Sequence, residues 1–121
     1  MDSPNKTNQH HWGQSQHLHM TETLDLAIAR GKAGGRSSMH THQNKRNWFL
    51  VVEGCVRVVE CADGGEYSFD LRPGHAVSVP PGIPHRMEFV TDATLYELYT
   101  AAEGQTVDLA DIQRFDEGRG E

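Results

Sequence analysis

Cysteine is scarce in this chain: Cys55 and Cys61 are the only two in 121 residues. On one extended strand they would stand roughly 20 Å apart at about 3.3 Å of rise per residue. A disulfide needs Cα atoms within about 7 Å, so free thiols and a reducing, cytoplasmic setting are expected. Basic residues are outnumbered, 11 Lys and Arg against 17 Asp and Glu, for a formal charge of −6. They are also scattered, which excludes the clustered cationic footprint of nucleic-acid binding and gives no reason to expect a membrane surface. Lys45-Arg46, the one adjacent basic pair, reads as a solvated loop tip. No apolar run approaches the roughly 18 residues of a membrane span, and the N-terminus lacks the basic-then-apolar order of a secretory signal. Aromatic residues make up 7% and mean hydropathy is −0.62. The apolar residues present are concentrated after Trp48, so the core is local rather than absent.

The length suits one domain, which at this size buries about two-thirds of its unfolded surface without disulfides. Residues 1–20 are polar and rich in Asn, Gln and His, and are expected to be a disordered or domain-swapped extension or an arm clinging to the rest. Residues 21–121 then form the single domain, including a short C-terminal tail. From Thr23 the pattern becomes strand-like: Leu24, Leu26 and Ile28 share one parity. Further runs follow at Trp48–Glu53, Cys55–Glu60, Tyr67–Leu71, Ala76–Val79, Arg86–Val90 and Thr94–Thr100. Turn chemistry separates them at Glu53-Gly54, Asp63-Gly64-Gly65, Pro73-Gly74, Pro80-Pro81-Gly82 and Thr91-Asp92. Many short strands with regular turns and no helical period predict an all-β sandwich or barrel.

Against these shortages stand eight histidines. His40 and His42, two apart in an extended segment, present both rings on one side. A third imidazole from a returning strand, His85, completes a set suited to a first-row divalent metal such as Zn, Mn, Ni or Fe. Three protein ligands leave a coordination position open, as catalytic and binding metals require. His17 and His19 also alternate, but an exposed polar tail is the simpler reading, because ordering it costs roughly 1 kcal/mol or more per residue. His75, beside a turn glycine, reads as a surface residue.

Two spaced motifs carry a family resemblance. The first runs Gly34, five residues, His40-Thr41-His42, four residues, Asn47, six residues, Gly54. The second runs Gly74, five residues, Pro80-Pro81-Gly82-Ile83-Pro84-His85. Together they resemble the cupins, which implies a jelly-roll barrel (double-stranded β-helix) and metal ligation by His40, His42 and His85. Asn47 stands where that family usually carries a metal-binding glutamate, and could lend a neutral amide oxygen as a fourth ligand. Phe89 stands where the second motif often ends in asparagine. If Asn47 faces inward, so do Phe49 and Val51, while Trp48, Leu50 and Val52 face outward. A monomer seldom exposes such a patch, so a second layer or a homodimer partner is expected over Trp48. From His85 the same counting puts Met87 and Phe89 inside.

A finer resemblance joins Trp48–Gly54, Val79–Arg86 and the tail Asp108–Asp116, Asp-Leu-Ala-Asp-Ile-Gln-Arg-Phe-Asp. These stretches are similar to the cupin domain of type II mannose-6-phosphate isomerases, departing from it at Gln43 to Asn47. The resemblance implies a sugar or sugar phosphate as ligand and an aldose–ketose isomerisation, which needs a metal to polarise oxygens and a base to move a proton. Glu97, Glu88 or a histidine could be that base, and Arg86 could touch phosphate only from the rim. A non-catalytic sugar-binding cupin and a metal-dependent dioxygenase are the alternatives.

Overall fold

The turns set the register of the barrel. In the computed structural model, which describes residues 7–118, Asp63 and Gly64 both have positive φ. They form the tight mirror-image turn that a two-residue hairpin requires, so Ala62 pairs with Gly65. The strands are β1 (Thr7–Gln9), β2 (Gly13–Met20), β3 (Leu24–Gly31), β4 (His40–Thr41), β5 (Lys45–Glu53), β6 (Val56–Ala62), β7 (Gly65–Leu71), β8 (Ala76–Val79), β9 (His85–Phe89), β10 (Ala93–Ala101) and β11 (Gln113–Arg114). They make a six-stranded sheet in the order β1-β2-β3-β10-β5-β8 and a five-stranded sheet in the order β11-β4-β9-β6-β7. Among the described residues no helix is long and apolar enough to cross a membrane.

The two sheets face each other over Phe49, Val51, Val56, Val58, Met87, Phe89 and Leu95, all buried. The alternation expected for β5 and β9 is present. Asn47, Phe49 and Val51 point in, Trp48, Leu50 and Val52 lie 40%, 41% and 48% exposed on the outer face, and Met87 and Phe89 are inside. No further layer of the described chain covers Trp48. Strand β3 is inverted relative to ordinary amphipathic patterning. Its small or polar residues Asp25, Ala27 and Ala29 are buried, while Leu24, Leu26 and Ile28 are half-exposed. Both cysteines are free, and His75 is exposed.

Two expectations are corrected here. Residues 7–20 are not disordered: β2 pairs with the chain's own β3 from Gly13↔Gly31 to Met20↔Asp25, and β1 pairs with β2. The boundary at residue 20 therefore does not separate an extension from the barrel, because ladder hydrogen bonds and the buried ring of Trp12, 5.3 Å from that of Phe89, supply the order that the polar composition concealed. Residues 1–6 of that extension lie outside the described residues. Lys45, expected at a solvated loop tip, is only 4% exposed. It belongs to the inward parity of β5 with Asn47, and its ammonium donates to the Asp108 carbonyl at 3.1 Å and lies 4.5 Å from the centre of the Tyr99 ring.

Candidate metal centre

The three imidazoles converge because strand register and one turn place them. His40 and His85 are Cα partners where β4 meets β9. His42 follows β4 in the segment that crosses to β5 of the other sheet. The Pro80-Pro81-Gly82 turn locks the other side. Gly82, at φ 84°, adopts a left-handed conformation costly for other residues, which lets its amide donate to the His42 carbonyl at 2.7 Å. Ring centroids lie 4.9 Å (His40–His42), 4.5 Å (His40–His85) and 5.3 Å (His42–His85) apart. One nitrogen from each ring lies within 4.8 Å of the others.

Each ring is held by a backbone carbonyl. His40 Nδ1 meets the Ser38 carbonyl at 2.7 Å, His42 Nδ1 the Asp111 carbonyl at 2.8 Å, and His85 Nδ1 the Ile83 carbonyl at 2.9 Å. A carbonyl oxygen only accepts, so each Nδ1 carries the proton and each Nε2 keeps its lone pair. This is the outer-shell arrangement that orients ligating histidines. Burial, reinforced by the neighbouring His85 and His42, pushes His40 down to about 3. Burial takes His42 down to about 4, partly opposed by the hydrogen bond to Asp111, and burial also lowers His85. All three rings are therefore neutral near pH 7, the form that binds metal.

Two polar atoms test whether a cation fits. His42 Nε2 is buried without a hydrogen-bond partner. His85 Nε2 faces Asn47 Oδ1 at 3.2 Å, yet both are acceptors, since His85 has its proton on Nδ1 and Asn47 Nδ2 donates to the Trp48 carbonyl at 3.4 Å. Lone pairs turned toward one another and an orphaned imidazole nitrogen are what a bound cation would satisfy. The donor set of three neutral nitrogens and one amide oxygen suits a divalent transition metal.

The other expected site residues separate. Glu97 is buried on the inner face of β10. Burial, then Asp25, raises its carboxyl to about 7, against the opposing pull of Lys45. The Tyr99 hydroxyl hydrogen-bonds to it, and the Tyr99 ring stands edge-on to His42 at 5.4 Å. Arg86 and Glu88 instead occupy the opposite parity of β9, where the Arg86 Nε donates to Glu88 Oε2 at 2.6 Å. Neither belongs to the histidine cluster, because alternation turns them to the other side of the sheet. A cavity of about 610 Å³ is lined by His40, His42, Glu97 and Tyr99, and also by His17 and Asp25.

Sequence reasoning passed over Asp25 and Tyr99, and it read Lys45 as a solvated loop tip and His17 as part of an exposed tail, whereas both are buried. Lys45 was within reach, two positions before Asn47 on the same strand. Asp25 carried no signal, since a lone aspartate between leucines reads as the solvent face.

Residues 28–100 match the family described as Cupin domain, and no curated protein sequence matches the chain. Among solved structures, oxalate decarboxylase from Bacillus subtilis at pH 4.6 is similar at TM-score 0.77 and 17% identity over 92% of this chain and 30% of that one. A Bacillus subtilis oxalate decarboxylase structure concerned with Mn(II) centres is similar at TM-score 0.71 and 20% identity, over 86% and 30%. CapF with the inhibitor 3-isopropenyl-tropolone gives TM-score 0.75 and 19% identity over 95% and 35%. The chain thus spans about a third of the length of these structures. With the matched segment running through both histidine motifs and covering more than half of the sequence, the chain belongs to the cupin domain family.

Proposed function

We propose that this cupin uses a divalent metal held by His40, His42 and His85, with the Asn47 amide oxygen beside them, to act on a sugar or sugar phosphate, and that the reaction is a proton transfer of the aldose–ketose type. The observation carrying this reading is that His40 and His42, two of the three clustered imidazoles with free Nε2 lone pairs, border the same cavity as a buried carboxyl whose pKa is about 7. A bound metal supplies Lewis acidity toward carbonyl and hydroxyl oxygens. Glu97 supplies the base: a group that titrates near neutral pH both takes and returns a proton readily. Tyr99 orients Glu97 through its hydroxyl, and Lys45 moderates the charge formed when Glu97 ionises. Arg114 lines the cavity on β11 and replaces Arg86 as the residue able to meet a phosphate.

The Mn(II) centres named for the Bacillus subtilis oxalate decarboxylase favour a second reading, metal-dependent chemistry on a small carboxylate. The full chain, loaded in turn with Mn, Fe and Zn, distinguishes the two. Interconversion of mannose 6-phosphate and its ketose, reduced at least about 100-fold in Glu97→Gln, supports isomerisation. Oxygen uptake or consumption of oxalate contradicts it, and sugar binding without turnover identifies a binding module.

The exposed face of Trp48, Leu50 and Val52 lies beside half-exposed Tyr96 and Leu98, their β10 neighbours. It supports a homodimer formed through the six-stranded sheet. The two free thiols fit a reducing, cytoplasmic setting.

A further inference from the structure

Among the described residues, Asp25 is completely buried, and its two carboxyl oxygens have different surroundings. Oδ1 accepts from His17 Nδ1 at 2.7 Å, whereas Oδ2 has no hydrogen-bond partner. Leaving a buried polar atom unsatisfied costs roughly 1–3 kcal/mol, and the Lys45 charge opposes that cost only through space, with no hydrogen bond to Asp25 Oδ2. A single imidazole N–H engages one carboxylate oxygen, so the pair with His17 leaves Oδ2 open to a further donor. A second metal is not the explanation either, since among the described residues only His40, His42 and His85 cluster as ligands.

The register shows where this carboxyl lies relative to the metal centre. Asp25 is the Cα partner of Tyr99, and Tyr99 of Asn47. The three form a row across the inner face of β3, β10 and β5, with about 10 Å, two interstrand spacings, between its ends. The adjacent row runs His17, Ala27, Glu97 and Phe49, and the small Ala27 side chain leaves room between His17 and Glu97. Asp25 and His17 line the same cavity as His40 and His42.

We propose that Asp25, positioned by His17, is a hydroxyl-binding subsite for a polyhydroxylated ligand that reaches from the histidine cluster across the cavity, its O–H donating to Asp25 Oδ2. The subsite rests on the reading of this cavity as the ligand site of a sugar-binding cupin and adds a residue that selects for hydroxyl-rich ligands. A dicarboxylate such as oxalate has no O–H to donate when ionised, so it gains nothing from Asp25.

Calorimetric titration of the full-length, Mn-loaded chain with D-mannose, D-mannose 6-phosphate and oxalate tests this. Asp25→Asn removes the free carboxylate oxygen with little change of shape, and His17→Gln releases its anchor. Each is expected to weaken sugar binding about tenfold or more, the usual worth of a hydrogen bond to a charged group, while metal content and any oxalate affinity stay at wild-type values. His17→Gln carries the test if Asp25→Asn fails to fold. Unchanged sugar affinity in the variants overturns the subsite, as does absence of sugar binding by the metal-loaded wild type. Parallel loss of metal and of both ligand classes also overturns it, by making Asp25 a support of the metal centre. If the wild type takes up no metal, the same titration on the metal-free chain decides: sugar binding that depends on Asp25 upholds the subsite while the metal reading falls, and no sugar binding overturns both.

Discussion

Asn47 shows how one side chain tunes the centre. Its oxygen faces the His85 Nε2 lone pair at 3.2 Å, so the proposed ligand set carries no negative charge. Asn47→Asp keeps the shape and adds that charge. Competition with a chelator should show Mn(II) held about tenfold more tightly, about 1.4 kcal/mol, while the metal-free variant melts lower because its carboxylate is buried without a cation. Weaker metal binding would place Asn47 outside the ligand set. Glu97 makes a prediction about pH. Its carboxyl is raised from 4.5 to about 7, so the folded state holds that proton more strongly than the unfolded chain. The stability this contributes is fully present below about pH 4.5 and lost as pH rises through about 7, on the order of 3 kcal/mol. Urea unfolding of the metal-free protein at about pH 4.5 and about pH 8.5 should show that loss in wild type relative to Glu97→Gln. Parallel behaviour of the two proteins would contradict it.

At the scale of elements, the barrel strands and the clustering of His40, His42 and His85 were legible in the sequence, and both ends of the chain were less so. Alternation and Gly/Pro turns marked β3 and β5 through β10, and parity counted from Asn47 and His85 placed Phe49, Val51, Met87 and Phe89 correctly. The segment 7–20 was misjudged because its order comes from pairing with β3, a nonlocal effect that composition does not report. The tail was recognised as a motif, but not as the strap that it is. The Asp111 carbonyl holds His42, and the Asp111 carboxylate accepts from the amides of Gln43 and Asn44, each at 2.9 Å. Strand β3 misleads in another way: its leucines face outward because its inner face borders the cavity. Trp12 tests whether the N-terminal strands belong to the core. Trp12→Ala should cost about 3–5 kcal/mol in urea unfolding, whereas a loss under about 1 kcal/mol would mark a dispensable arm.

Taken as a whole, the molecule is two sheets whose shared interior is apolar on the side of Phe89 and polar around His40, His42 and Glu97, with the N-terminal strands and the C-terminal strap both bordering the cavity. Its outer apolar face makes association with a second copy the expected state. Light scattering should give a dimer for wild type and a monomer for Trp48→Glu, and a monomeric wild type would contradict the interface. Everything chemical depends on the cation. Elemental analysis of the purified full chain after loading and desalting tests that dependence directly. One divalent transition-metal ion per chain in wild type, falling below about a tenth of that in His85→Ala with the fold intact, is the predicted result. A wild type that retains no metal, or a His85→Ala variant that retains a full equivalent, would contradict the account.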